Sequence, residues 1–164
     1  MTSVWAGLPV PAQMQADFNQ SIINKENNET IRYEGHFALK VPGMAKWVYT
    51  RPLSKTICLD NDRAWVIEPE LEQATLYRLN RAIPLVAILK KAKRIAPGRY
   101  EAKYEGVDYD ITVDDKGRPL TLSYRDELGN RVLMRFSNLN TAPFDPALLK
   151  CDIPDGFDII DGRL

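Results

Sequence analysis

YEAKYEGVDYDITVDDKGRPLTLSYRDELGNRVLMRF, residues 100–136, decides the fold class. It holds four runs in which apolar side chains recur at every second position. Tyr100, Ala102 and Tyr104 form the first, and Val107, Tyr109, Ile111 and Val113 the second. Leu120, Leu122 and Tyr124 repeat the pattern, as do Val132, Met134 and Phe136. A period of two puts such residues on one face of a strand. Turn formers separate the runs: Glu105-Gly106, Asp114-Asp115-Lys116-Gly117, and Asp126 to Asn130 around Gly129. Connections this short join antiparallel neighbours, because a parallel crossover takes a dozen or more residues. The stretch therefore reads as an antiparallel sheet with one apolar face.

The same reading extends toward the amino terminus. MQADFNQSII and IRYEGHFALKV are long candidate strands on either side of the polar turn NKENNE, followed by KWVYT, KTICL, RAWVI and EQATLYRL. The chain thus holds about eleven strands. One segment departs from the alternation. IPLVAILKKAKR, residues 83–94, has Pro84 in its first turn, Leu85, Ile88 and Leu89 at helical spacing and a basic end, which predicts a helix. One short helix cannot hide that much apolar sheet, and apolar area left in water costs about 25 cal/mol per Å². The sheet must curl into a barrel, a sandwich or a bent open barrel, and its interior is either filled or holds an apolar ligand.

Composition narrows the function. At 164 residues the chain reads as one domain, with residues 1–12 a poorly defined amino-terminal segment. Lys plus Arg and Asp plus Glu number 22 each, so nothing in the net charge selects a nucleic acid or an anionic membrane. No apolar run reaches the ~18–20 residues of a membrane-crossing helix. The start, MTSVWAGLPVP, lacks the basic and apolar regions of an intact signal peptide, which leaves a cytosolic protein or one whose signal has been removed. Cys58 and Cys151 could pair in an oxidising compartment or remain two buried thiols.

The inventory of chemistry is thin. The one histidine, His36, alternates against Phe37, Leu39 and Val41 and falls on the polar face, with no nucleophile motif beside it. Neither cysteine has neighbours spaced for zinc. Asp60-Asn61-Asp62 lacks the glycine and later glutamate of a calcium loop and reads as a hairpin turn. No glycine-rich phosphate loop is present. These residues predict no enzyme, no metal and no cofactor.

The order of several short motifs is more informative than any one of them. ADFNQ (16–20), GHFALKVPGMAKWVYTRP (35–52), DNDRAWVIEPELEQAT (60–75), PLVAIL (84–89), DELGNRVLMRFSNL (126–139) and CDIPDGFDII (151–160) follow one another. Together they resemble the outer-membrane lipoprotein carrier family, LolA, from about Ala16 to Asp161. The resemblance implies an incomplete antiparallel β-barrel of about eleven strands, with a helical lid over an apolar concave cavity, the fold shared by LolA and LolB. It implies a periplasmic, monomeric, non-enzymatic chaperone whose cavity takes the acyl chains of lipoproteins. Cargo would come from an ATP-driven releasing complex in the inner membrane and pass to the outer membrane, through a LolB-like or other acceptor. The cavity residues expected on this basis are Phe37, Leu39, Val41, Trp47, Tyr49, Trp65, Leu76, Leu85, Ile88, Leu89, Met134 and Phe136. Two other readings compete: a LolB-like acceptor, disfavoured by the lack of a cysteine near Met1, and a β-sandwich interaction module with a filled core.

The chain departs from the family pattern where a Lys-Arg-Pro stretch normally carries an inward arginine that latches the lid. Here the stretch is Lys40-Val41-Pro42, and a nearby position that is commonly aromatic is Ala45. A hydrogen bond from a charged donor contributes about 1.5–3 kcal/mol. Its absence shifts the open-to-closed ratio by about one to two orders of magnitude, unless Arg51 or Arg81 substitutes. Val41→Arg is expected to favour the closed lid and slow uptake of a hydrophobic dye in stopped-flow fluorescence. Unchanged uptake would place control of the lid elsewhere.

Overall fold

The computed structural model describes residues 8–60, 63–78 and 85–163. Its strands are β1 (Gln13–Ile23), β2 (Thr30–Lys40), β3 (Met44–Arg51), β4 (Lys55–Asp60), β5 (Arg63–Glu68), β6 (Gln73–Arg78), β7 (Lys93–Ala96), β8 (Arg99–Tyr104), β9 (Val107–Val113), β10 (Pro119–Arg125), β11 (Arg131–Asn140) and β12 (Asp158–Asp161). A helix, α1, spans Leu85–Lys90. The hydrogen-bonding order is β12-β6-β5-β4-β3-β2-β1-β11-β10-β9-β8-β7. Among the described residues this order has two ends and does not close into a ring, as the expected incomplete barrel requires.

Two expectations need correction. The helix stops at Lys90, where Lys91 and Ala92 donate to the carbonyls of Ile88 and Leu89, and the basic run becomes β7. There Lys93 stands opposite Glu101 and Arg94 opposite Tyr100, partners that a helix would not give them. With β7 the strands among the described residues number twelve, in keeping with the expected count of about eleven. The sheet is also not wholly antiparallel, because β12 pairs with β6 in parallel. Residues 141–157, between β11 and β12, are long enough for the crossover that parallel pairing requires. Pro84, Arg81, Asn61 and Asp62 lie outside the described residues.

The chain forms two compact units. The first comprises the described residues of Met1–Val10, with Phe18–Arg32 and Leu85–Asn138. The second comprises Pro11–Asp17, the described part of Tyr33–Pro84, and the described part of Leu139–Leu164. In the first unit β7 to β11 form hairpins whose turns follow from their residues. Glu105 and Gly106 both have positive φ, as a two-residue hairpin needs. Asp114 accepts from the backbone N–H groups of Lys116 and Arg118 and from Arg118 Nε at 2.8 Å. These bonds hold its carboxyl below the usual range. Asp126 serves the next turn likewise, accepting from Leu128 and Asn130, with Gly129 at φ 82°. The expected run Leu120, Leu122, Tyr124 breaks at its first member. A register shift between Pro119 and Thr121 turns Leu120 outward, 43% exposed, while Leu122 and Tyr124 keep their face.

In the second unit β2 to β6 pair in sequence, and the carboxy-terminal segment crosses one face of them. Asp145 caps a short 3-10 turn, Pro146–Leu149, by accepting from Ala147 N–H. Lys46 Nζ donates to the Lys150 carbonyl at 2.7 Å. Cys151 then forms a disulfide with Cys58 of β4, their Cα atoms 6.1 Å apart. Of the two states left open for these cysteines, the paired one is present.

The disulfide closes a loop across a sequence separation of 93 residues. On the chain-entropy account such a loop stabilises the fold by about 4–5 kcal/mol. Cys151→Ser, or reduction, is expected to lower the unfolding free energy by about 2–5 kcal/mol in urea titrations with and without reductant.

Candidate functional site

Register decides which apolar side chains share a face, because residues directly opposite in an antiparallel pair point the same way. In the second unit one face carries three parallel rows. Leu39, Ala45, Leu59 and Ala64 form the first; Phe37, Trp47, Ile57 and Val66 the second. Gly35, Tyr49 and Lys55 form the third. The Phe37 and Trp47 rings stack with centroids 4.6 Å apart and planes at 23°. Phe37, Leu39 and Trp47 are each at most 1% exposed, whereas Ile57 is half-buried. Among the expected cavity residues, this face unites Phe37, Leu39, Trp47 and Tyr49.

Trp65 and Leu76 do not belong with them. The β4–β5 pairing sets Asp60 opposite Arg63 and therefore Cys58 opposite Trp65, which in turn faces Leu76. Both side chains lie on the disulfide's face, with Ala38, Lys46 and Ile67. The expectation that they line one surface with Trp47 is corrected by this parity. Val41 lies just past β2, half-buried, and its N–H donates to the Ala12 carbonyl at 3.0 Å. Arg51, a candidate replacement for the missing latch, pairs with Glu34 at 3.8 Å on the surface, where such pairs contribute little.

The remaining expected residues belong to the first unit. Leu85, Ile88 and Leu89 are the buried side of α1, which packs on β8. Lys91, just beyond, holds its ammonium 5.6 Å from the Tyr104 ring centroid. Met134 ends a row of opposed residues, Tyr100, Ile111, Leu122 and Met134, and Phe136 is buried two positions further along β11. Tyr109, on the same face, meets Tyr124 at 5.0 Å, and burial followed by the nearby Tyr104 pushes its hydroxyl pKa up. A groove of about 600 Å³ in this unit is lined by Asp108, Asp110, Arg125, Asp126, Glu127 and Arg131 among others, a polar, mixed-charge surface unsuited to hydrocarbon.

The sequence reading did not single out Lys55. It opens β4 on the apolar face of the second unit, and its ammonium sits 4.6 Å from the Tyr49 centroid and 5.8 Å from that of Tyr33. Burial lowers its pKa, and Glu68 nearby partly offsets that. Its signal in the sequence was its spacing: Lys55, Ile57 and Leu59 alternate, so a charge begins an otherwise apolar face.

Residues 12–96 match the family model for the outer membrane lipoprotein carrier protein LolA. The chain is 33% identical over 150 residues to an outer-membrane lipoprotein carrier protein of Helicobacter hepaticus, covering 90% of this chain and 83% of that one. It belongs to the LolA family. A carrier protein of the same description from Wolinella succinogenes is 34% identical over 79% of this chain and 74% of its own. The fold agrees with that of a LolA superfamily protein from Nitrosomonas europaea, with a TM-score of 0.51 at 9% identity, over 88% of this chain and 93% of that one. The segment matched by the LolA model runs from β1 to β7, and so includes both the Phe37–Trp47 face and α1. Among the described residues, no helix is long and apolar enough to cross a membrane.

The two tryptophans are expected to differ in their weight in the fold. Trp47 is 1% exposed and stacked, whereas Trp65 is only half-buried. Trp47→Ala should cost about 3–5 kcal/mol in denaturant titrations and Trp65→Ala clearly less. Equal losses would contradict the assignment of the two faces.

Proposed function

We propose that this protein is a periplasmic chaperone. It takes the acyl chains of lipoproteins released from the inner membrane and carries them to the outer membrane. Membership of the LolA family, whose relatives bear the name of outer-membrane lipoprotein carrier, is the observation that carries this reading. The supporting chemistry is an apolar sheet face without catalytic groups and a disulfide of the kind that persists outside the cytosol. Acyl chains transfer at about 0.8 kcal/mol per buried methylene, so a triacylated protein does not cross water unaided. A carrier needs no chemistry of its own; delivery follows from differences in affinity between successive sites. The donor is an ATP-driven inner-membrane complex and the recipient a LolB-like or other outer-membrane acceptor, with the carrier acting as a monomer.

The residues assigned to acyl binding are, in the second unit taken by itself, Phe37, Leu39, Trp47 and Tyr49, and in the first, Leu85, Ile88, Leu89, Met134 and Phe136. Side chains so buried accept cargo only after the elements covering them move. That burial also favours a second reading, an interaction module with a filled core.

Release of a triacylated lipoprotein from inner-membrane vesicles into the soluble fraction separates the two. The wild-type protein should release it; a filled-core module should not. Ile57 is the position to perturb, since it is half-buried on the apolar face and a charge there can still reach water. Ile57→Glu should keep the circular dichroism spectrum and lose release about tenfold or more, because an ionised group among acyl chains is strongly disfavoured. Normal release by that variant would remove this face from the cargo site.

A further inference from the structure

The apolar face of the second unit has a polar end. Its rows run from Leu39, Ala45, Leu59 and Ala64, through Phe37, Trp47, Ile57 and Val66, to Gly35, Tyr49 and Lys55. Successive rows are about 7 Å apart, so roughly 14 Å of the face can lie along hydrocarbon before the Lys55 row is reached. That is the polarity profile of an amphiphile with its chain on Trp47 and its head at Lys55.

The state of Lys55 strengthens the case. Tyr33 and Tyr49 meet edge to face at 5.7 Å and hold the ammonium beside their rings. Aromatic rings attract a cation without supplying an oxygen acceptor. Among the described residues the Lys55 ammonium makes no hydrogen bond or ion pair, and Glu68 acts on it only through its field. A half-buried ammonium therefore retains its donors, aimed from an apolar face. A row of alanine, leucine and phenylalanine cannot use them.

We propose that Lys55 binds the oxygen-bearing head of an acyl chain, a carbonyl or carboxylate oxygen, and so fixes how far the chain slides along the Phe37–Trp47 row. This rests on the acyl-carrier reading above. The shared chemistry is an acyl oxygen accepting from the ammonium; a lipoprotein supplies it as ester and amide carbonyls, a free fatty acid as a carboxylate.

The test is competition of dodecanoate, methyl dodecanoate and dodecyltrimethylammonium against a fluorescent apolar dye. The first two present acyl oxygens and the third does not, at equal alkyl length. Dodecanoate is expected to bind about tenfold or more tighter than the cationic amphiphile, the scale of one charge-assisted hydrogen bond, with the methyl ester between them. Lys55→Met should bring the three within about twofold of one another, with the dye still bound because an apolar stem remains in place. Lys55→Arg should preserve the preference, and Glu68→Gln should increase it by removing a competing charge. A wild-type protein indifferent to the head, or a Lys55→Met variant that keeps the preference, would overturn the proposal and leave acyl carriage standing. Failure of the wild type to bind dye or any of the amphiphiles would overturn both.

Discussion

The pairing of β4 with β5 is the constraint on which the second unit depends. Asp60 stands opposite Arg63, and every later pair follows from that one. Shifting the register by one residue would turn the side chains of β5 to the other face. Trp65 would join the Trp47 face, Val66 and Ala64 would leave it, and Cys58 would lose its present neighbour. The register that occurs places small and medium side chains, Ala64 and Val66, beside Leu59 and Ile57. Trp65 instead faces Cys58, on the side crossed by the carboxy-terminal segment.

The second unit is consequently a sheet with two unlike buried faces. One is held by the Cys58–Cys151 disulfide, the Lys46 bond to the Lys150 carbonyl and burial of the apolar Leu149. The other is apolar and aromatic, and ends in a lysine. The field of Glu68 offsets part of the desolvation of Lys55, yet its pKa still falls, so burial wins there.

The first unit solves a different problem. The six described residues of α1 gain little from helix formation by itself, since nucleation is costly and isolated short helices are marginal. Its existence rests on burying Leu85, Ile88 and Leu89 against neighbours that include β8. The hairpins are fixed by their turns instead. Asp114 and Asp126 each bind several backbone donors, and positive-φ glycines close the chain. Such turns set register locally, which is why β8 to β11 could be read almost residue by residue.

Alternation and turn chemistry in the sequence determined most of the strands, their antiparallel neighbours, the buried side of α1 and, through ordered motifs, the LolA family. These signals are local: a period of two, a period near 3.6, an aspartate three residues before a glycine. Tertiary structure alone decided the features made by distant residues. The basic run after α1 became β7 because Glu101 and Tyr100 stand opposite it. A long connection brought β12 back parallel to β6, and Cys151 back to Cys58. Leu120 turned outward at a bulge, and Trp65 parted from Trp47. Alternation tells which residues of one strand share a face. Which face they share with the next strand depends on register across the turn, and a shift of a single residue reverses the answer.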